Sequence, residues 1–147
     1  MINLEQAARF RRLEAAMPHL LRAFSALTAA HMYFQRAGAL KTLSVSDVLD
    51  NGSIEASFQG VGVKFELLPV FGSEGQPRAR IVCFHAQCTY GHPVQAQLGA
   101  FSFGEDGVTD LPTDASGNYP DMYRDNAAIV LHFLDAALRA NQTIAPA

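Results

Sequence analysis

The stretch from Arg80 to Val94, RIVCFHAQCTYGHPV, decides how the rest of this chain is interpreted. Up to Thr89 it is rich in β-branched, aromatic and other apolar residues, which is typical of a strand, and Gly91-His92-Pro93 is a turn signal. A second apolar segment, Gln95 to Phe103, follows the turn. We predict an antiparallel pair of strands here, because so short a connection leaves no room for a parallel crossover.

Three further strands precede this pair, again with short connections. The segment Leu43 to Leu49 predicts a strand that ends at the tight-turn signal Asp50-Asn51-Gly52. Apolar and polar residues then alternate in two segments, 53–58 and 61–71, on either side of a turn at Gly60. A loop rich in Gly, Ser and Pro, 72–77, leads into the opening stretch. The pattern therefore predicts a five-stranded antiparallel meander.

The N-terminal part of the chain has helical periodicity. Asn3 and Gln6 have the spacing of a capping box, and apolar residues recur at helical intervals after them. Pro18 has no backbone N–H, so we predict a kink or a break between two helices there. The second helix is expected to end at Gly38, since glycine is favoured just after a helix.

The C-terminal part predicts one more helix, from about Asp121 to Asn141, after an acidic loop that contains a short strand at Val108. The complete pattern is that of an α+β fold. We expect an antiparallel five-stranded meander with an N-terminal kinked helix, or helix pair, and a C-terminal helix packed on one face. Residues 1–147 form a single domain in this interpretation.

The composition agrees with one folded domain. The 147 residues are 49% hydrophobic and 17% charged, whereas a disordered chain has low hydrophobicity and high charge. Because charged residues are few, we expect some apolar surface to be covered in an oligomer or by a partner.

The net charge of −3 argues against a dedicated nucleic-acid binder. The first helical region is nevertheless basic, and the segment from Glu105 to Asp125 is acidic. Nucleic-acid contact through Arg9, Arg11, Arg12 and Arg22 is therefore an alternative that we do not favour. Pairing of the two regions, within a chain or between subunits, explains the asymmetry equally well.

The N-terminal segment Met1–Met17 mixes charged residues with short apolar pieces and does not resemble a signal peptide. No run approaches the roughly 18 apolar residues of a membrane-spanning helix. We therefore expect a cytoplasmic protein with no membrane association, in which the 2 cysteines are reduced.

Four residues of the opening stretch, Cys83, His85, Cys88 and His92, are of types that ligate metals. Their spacing is not a usual zinc pattern, and strand alternation places Cys83 and His85 on one face of the sheet and Cys88 on the other. We predict no metal site and no cofactor from this group. A smaller site built on Cys83 and His85 with a remote ligand stays an alternative.

No residue is predicted to be catalytic. Cys83 and His85 have the types of a nucleophile and its base, but positions inside a strand seldom present atoms to a substrate. His31 and His132 lie on helices, where a satisfied structural histidine is the commoner role. The sequence contains neither a phosphate-binding loop nor a recognisable Ser–His–Asp arrangement.

The face of the sheet away from the helices carries the prediction about binding. We expect Val82, Phe84 and Cys88 to face the helices, so that the alternate side chains face away from them. This face would also receive either Leu98 or Phe101 with Phe103. Its half-apolar character predicts that a second subunit, a protein partner or a small ligand covers it, and cover by another part of this chain, such as the first helix, is an equal alternative. The predicted partner-binding residues are Leu68, Val70, Ile81, Cys83 and His85.

The function predicted from these features is that of a small non-enzymatic accessory or binding protein. It would recognise another macromolecule, a protein, and form a homodimer through that sheet face or an edge strand. The alternative is a small-molecule-binding or enzymatic pocket between the sheet and the helices, with Cys83, His85, His31 or His132 as polar groups.

Overall fold

A computed structural model of this chain describes residues 2–36, 40, 42–48, 52–89, 92–112 and 118–144, and of residues 47, 48, 86–89, 92–95 and 141–144 it describes only the backbone. The predicted α+β class is confirmed: helices precede and follow a five-stranded antiparallel sheet whose strands lie in chain order. The strands are β1 (Ser44–Val48), β2 (Ser53–Phe58), β3 (Val61–Phe71), β4 (Pro77–Thr89) and β5 (His92–Phe103). The helices are α1 (Leu4–Ser25), α2 (Ala29–Arg36) and α3 (Asn126–Ile144).

Helix α1 begins where its capping residue predicts. The Asn3 side chain accepts hydrogen bonds from the backbone N–H groups of Glu5, at 2.9 Å, and Gln6, at 3.3 Å. These bonds satisfy two of the N–H groups that have no partner inside the helix.

The predicted break at Pro18 is wrong, because α1 continues through that residue. Pro18 and Glu14, whose carbonyl loses its helical partner, are both exposed, so water can replace the missing donor. The irregularity comes later, as a 3₁₀ turn at Ala26–Thr28 that joins α1 to α2. The predicted helix end at Gly38 lies outside the described residues.

The strand connections agree with the turn signals. The two-residue turn between β2 and β3 has positive φ at Gln59 and Gly60, which are 52° and 81°. Such turns match the twist of the strands that they join. Gly52 also has a positive φ, while Asp50 and Asn51 of the predicted β1–β2 turn lie outside the described residues.

Helix α3 begins at Asn126, later than predicted, because Asp121 is engaged elsewhere. Asp121 forms an isolated β-bridge with Val108, the predicted site of a short strand. Its side chain accepts hydrogen bonds from the N–H groups of Tyr123, at 2.8 Å, and Arg124, at 3.2 Å. The helix begins only after this turn.

The helices and one face of the sheet, which we call the inner face, enclose the core. Phe133 of α3 lies between two rings of the sheet, with centroid distances of 5.6 Å to Phe65 and 5.7 Å to Phe101. Gly99 permits this packing, since a Cβ there would lie 3.2 Å from the Phe133 ring. The inner face carries the buried side chains Ile54, Ala56, Val63, Phe65, Ala79, Ile81, Cys83, His85, Phe101 and Phe103.

No helix within the described residues combines the length and the apolar composition that crossing a lipid bilayer requires. Helix α3 contains charged Asp135 and Arg139, which form an ion pair at 3.0 Å on its exposed side. Helix α1 carries exposed charges along its length, among them Glu5, Arg12 and Arg22.

Candidate functional site

The register of β3 with β4 fixes which side chains of β4 face the helices. Phe65, in the core, pairs with Cys83, and Val63 pairs with His85. Directly opposed residues of an antiparallel pair point to the same face of the sheet. Ile81, Cys83 and His85 are accordingly buried, with exposures of 0%, 0% and 2%.

The predicted orientation of β4 is therefore wrong. Val82 and Phe84, which the sequence analysis assigns to the helix side, are half-buried on the opposite face. The physical reason lies at the start of the strand: Arg78 and Arg80 share their alternation with Val82 and Phe84. The predicted orientation would have moved two unpaired charges into the core, at a large desolvation cost.

Two of the predicted partner-binding residues, Leu68 and Val70, do point away from the helices. Leu68 is 51% exposed and Val70 is half-buried. Ile81, Cys83 and His85 lie inside the core of a single chain, so a partner cannot reach them unless the sheet separates from the helices. Partner binding stays a prediction for the first two residues.

The last strand departs from both predicted alternatives. The register of β5 with β4 shifts between Cys83 and Phe84, whose partners are Gly99 and Gln97. Leu98 is the extra residue of this bulge, and a bulge reverses the alternation of the strand. Leu98 packs half-buried against the core, and Phe101 and Phe103 are buried in it, so none of the three joins the opposite face.

The environment of Cys83 and His85 opposes both metal binding and catalysis. Burial raises the pKa of the Cys83 thiol far above its ordinary value, which disfavours the thiolate that ligates metals or attacks substrates. Among the described residues, no three histidine, cysteine or acidic side chains are grouped so as to hold a metal ion. The side chains of Cys88 and His92 lie outside what the structure describes.

The helical histidines have separate positions. His31 of α2 places Nδ1 3.3 Å from the carbonyl oxygen of Leu43, a hydrogen bond that ties α2 to the start of β1. His132 is exposed on α3, where its ring contacts Phe133. Asp135, three positions after His132, forms an ion pair with Arg139. The structure does not bring His31 and His132 together with Cys83.

The candidate site is the other face of the sheet, which we call the outer face. Its side chains are exposed or half-buried along the central strands. Across β3, β4 and β5 its rows are Leu68–Arg80–Ser102, Glu66–Val82–Ala100 and Lys64–Phe84–Gln97, with Val70 opposite Arg78 at one end.

A cluster of polar residues holds Arg78 in place at that end. Arg78 donates from Nε and Nη2 to the Ser102 hydroxyl oxygen, at 3.4 and 3.3 Å. The Ser102 hydroxyl donates to Asp110 at 2.8 Å, and its backbone N–H donates to the other oxygen of the same carboxylate at 2.7 Å. Gly104 leaves room for the guanidinium, since a Cβ there would lie 3.2 Å from Nη1 of Arg78. Asp110 thus positions Arg78 through Ser102.

Arg80 is the neighbouring cation on the same face. It is exposed, and no described residue forms a hydrogen bond or an ion pair with it. Arg78 likewise has no carboxylate within ion-pair distance among the described residues. Beside the two arginines opens a cleft of about 580 Å³, whose other walls include Val70, Phe71, Ser73 and Gln76.

At the opposite end of the outer face, polar side chains bind one another. Ser44 of β1 and Ser57 of β2 share a hydrogen bond of 2.8 Å, and Lys64 forms an ion pair with Glu66 at 3.3 Å. A smaller cleft of about 170 Å³ lies among these residues. Lys64 is already paired with Glu66, and Glu55 opposite Lys64 adds a negative charge, so this end offers less to an anionic ligand than the arginine end does.

The site residues predicted from the sequence do not include Arg78, Arg80 or Ser102, although the sequence contains a signal for the two arginines. Arg78 and Arg80 alternate with Ala79 and Ile81, and such alternation predicts two charges on the exposed face of a strand. No local pattern indicates Ser102, because its contact with Arg78 depends on the pairing of β4 with β5.

Comparison with known proteins assigns no family to this chain. No protein-family model matches it, and no curated protein or solved structure matches it significantly. A function therefore has to be inferred from the side chains of the outer face and their geometry.

Proposed function

We propose that this protein is a non-enzymatic binding protein that recognises another protein through the outer face of its sheet and that works as a homodimer. One observation carries the recognition part. The outer face is left open by the described helices and combines exposed Leu68 with half-buried Val70, Val82 and Phe84. An antiparallel sheet face that serves only to contact water is more uniformly polar.

The inner face supports a non-enzymatic role. Cys83 and His85 are buried, and the rings of Phe65, Phe101 and Phe133 occupy the space between sheet and α3. The alternative of a pocket between sheet and helices needs room at this place. We therefore favour the binding protein over a pocket between the sheet and the helices.

The proposed dimer interface is the free edge of β5. No Asp, Glu, Lys or Arg occurs between Arg80 and Glu105, so β5 lacks the charges that commonly protect edge strands. Among the described residues after Gly107, pairing with β5 is confined to its end, at Ser102 and Phe103. In antiparallel self-pairing the residues near the two-fold axis lie close to their own copies, and Gln97 is near the middle of β5, so an uncharged strand avoids repulsion there.

The cytoplasm is the compartment that we propose. Cys83 is a free thiol in the core, which is compatible with a reducing environment.

Site-directed photo-crosslinking tests recognition. A photoreactive phenylalanine analogue at Leu68, on the outer face, should capture one defined protein from the native host. The same analogue at Leu131, which is 39% exposed on α3, is the matched control. The proposal fails if both positions capture the same proteins or if Leu68 captures none.

Light scattering tests the dimer. We expect twice the mass of one chain, and we expect Gln97→Lys on β5 to weaken the dimer at least tenfold, since two added lysines would repel each other across the interface. Ser46→Lys on the other edge strand, β1, is the control, because both residues are exposed and polar. A monomeric protein, or a dimer that Ser46→Lys weakens as much, contradicts the β5 interface.

A further inference from the structure

We infer that the cleft beside Arg78 and Arg80 binds a carboxylate of the partner, so that the recognised segment is an acidic peptide with apolar residues next to its acids. This inference rests on the proposed function, since it names the chemistry of the partner at the outer face. The evidence is a pair of arginines, neither of which forms an ion pair with a carboxylate of the described residues.

The two arginines are close neighbours with the same charge. They lie two positions apart on β4 and point to the same face, so their guanidinium groups repel each other unless an anion lies between them. Within the described residues neither forms an ion pair. Guanidinium groups match the planar geometry of a carboxylate and bind it through two parallel hydrogen bonds.

The cleft is prepared for such a ligand on the side of Arg78. The Asp110–Ser102 contacts hold Nε and Nη2 of Arg78, at distances of 3.4 and 3.3 Å from the Ser102 hydroxyl, and Nη1 has no acceptor among the residues that the structure describes. A guanidinium that is already oriented loses less entropy when it binds. The Arg80 side chain can adjust to the ligand, because it is exposed and forms no hydrogen bond or ion pair with the described residues.

The charge balance favours a single carboxylate over phosphate or nucleic acid. Asp110 lines the cleft together with Arg78 and Arg80, so the two positive charges are opposed by one negative charge. One further negative charge, that of a single carboxylate, balances the charges of these three residues, whereas a dianionic phosphate would leave the cleft with an excess negative charge. A nucleic-acid site, by contrast, is expected to be basic throughout.

The apolar walls indicate a peptide. Val70 and Phe71 line the cleft, and Leu68 stands beside Arg80 in the neighbouring strand. Phe71 borders the cleft at the end of β3, but its ring lies on the helix side, where Phe10 of α1 is at a centroid distance of 6.4 Å and Arg9 lies 5.9 Å from its centroid. The apolar side chains on the outer face are therefore Leu68 and Val70. An apolar side chain next to the bound acid would cover Leu68 and Val70, whereas a free small anion would leave them in water.

Titration of the full chain with a defined peptide, followed by nuclear magnetic resonance of the arginine Nε–H groups, tests the inference. The probe is acetyl-Glu-Leu-Glu-Val-Glu-Leu-amide, and its control is the same peptide with Gln in place of every Glu. We expect saturable shifts of the Arg78 and Arg80 signals with the acidic peptide only. Arg80→Gln should weaken binding about tenfold to a hundredfold, since a hydrogen bond to a charged group contributes about 1.5–3 kcal/mol.

Arg12→Gln is the matched control variant, because Arg12 is an exposed arginine on α1 and belongs to the alternative basic region. It should change binding less than about twofold, as expected for a charge outside the site. Equal binding of the two peptides, binding of neither, or an unchanged affinity in Arg80→Gln overturns the inference. Stronger shifts with inorganic phosphate than with the acidic peptide overturn it in favour of a phosphate site.

The two proposals fail in different ways. If crosslinking at Leu68 captures a protein but the acidic peptide does not bind, recognition at the outer face stands and the carboxylate chemistry is wrong. If the peptide binds at Arg80 but crosslinking captures nothing, the carboxylate site exists without the proposed protein partner.

Discussion

Strand β4 shows two different chemistries on its two sides. On the inner face Ala79, Ile81 and Cys83 are fully buried against the helices. On the outer face Arg78 and Arg80 begin a row that continues into half-buried Val82 and Phe84. The difference shows that hydrophobicity alone does not tell the two faces apart: both contain apolar residues, but only the outer one contains charges.

The glycine and aromatic residues of the neighbouring elements explain why the inner face excludes water. Phe133 stacks on Phe101 with an interplanar angle of 23° and meets Phe65 edge to face. Gly99 of β5 makes room for it. On the outer face no ring contact of this kind is found within the described residues. The inner face is thus covered by other residues of the same chain, whereas the outer face keeps apolar surface that a partner can cover.

A lysine on either side of β4 should separate the two faces most strongly. Ile81→Lys buries an unpaired charge and should lower the free energy of unfolding by at least about 4 kcal/mol, which is a large part of the stability of a small domain. Val82→Lys should lower it by less than about 1 kcal/mol, since position 82 lies opposite Glu66 on the outer face. Urea denaturation measures both, and similar losses would contradict the assignment of faces.

Truncation on β3 should give a smaller contrast in the same direction. Phe65→Ala removes a fully buried ring that contacts Phe133 and should cost about 3–5 kcal/mol. Leu68→Ala, at a position that is 51% exposed, should change stability by about 0.5 kcal/mol or less. A loss above about 2 kcal/mol at Leu68 would mean that another part of the chain covers the outer face.

Much of the fold could be predicted because its signals are local. The alternation in β2 and β3, the turn at Gln59–Gly60 and the Asn3 cap all depend on residues near each other in the chain. The order of the strands then follows from short connections. The start of α3 could not be predicted in this way, because a contact of Asp121 with distant Val108 delays it.

The orientation of β4 could be predicted from the sequence only by counting residues along both β3 and β4. If the 72–76 loop joins β3 to β4, Phe71 pairs with Pro77, and counting back along both strands pairs Phe65 with Cys83. Burial of Phe65 then implies burial of Cys83. The alternation of apolar residues alone misleads here, because both faces of β4 are apolar beyond Arg80.

The candidate site could be predicted only in part. Leu68 and Val70 could be predicted from the alternation of β3, but the end of β3 that borders the cleft is also held by a contact with a distant part of the chain. Phe71 at the end of β3 meets Phe10 of α1, a contact between residues far apart in the chain. The β5 bulge at Leu98 has no clear local signal, and it decides that Phe101 and Phe103 face the helices.

A polar atom at position 83 should lower stability by less than the lysine at position 81 or the loss of the Phe65 ring. Cys83→Ser places a hydroxyl in the core beside apolar neighbours and should cost about 1–3 kcal/mol, because burial of an unsatisfied hydroxyl is unfavourable. Cys83→Ala, which adds no polar atom, should cost less. Thermal unfolding distinguishes the two, and a serine variant that is as stable as the alanine variant would indicate a polar environment.

Thiol reactivity tests the division between the two faces most directly. One protein keeps Cys83 as its only thiol through Cys88→Ala, and the other carries Val82→Cys with Cys83→Ala and Cys88→Ala. Reaction with an aromatic disulfide reagent at pH ~8, near the ordinary pKa of a cysteine thiol, is followed by absorbance. Burial of Cys83, which also raises the pKa of its thiol, should make it react at least about 10³-fold more slowly, through opening of the core. Equal rates at positions 82 and 83, or a faster reaction of Cys83, would contradict the account.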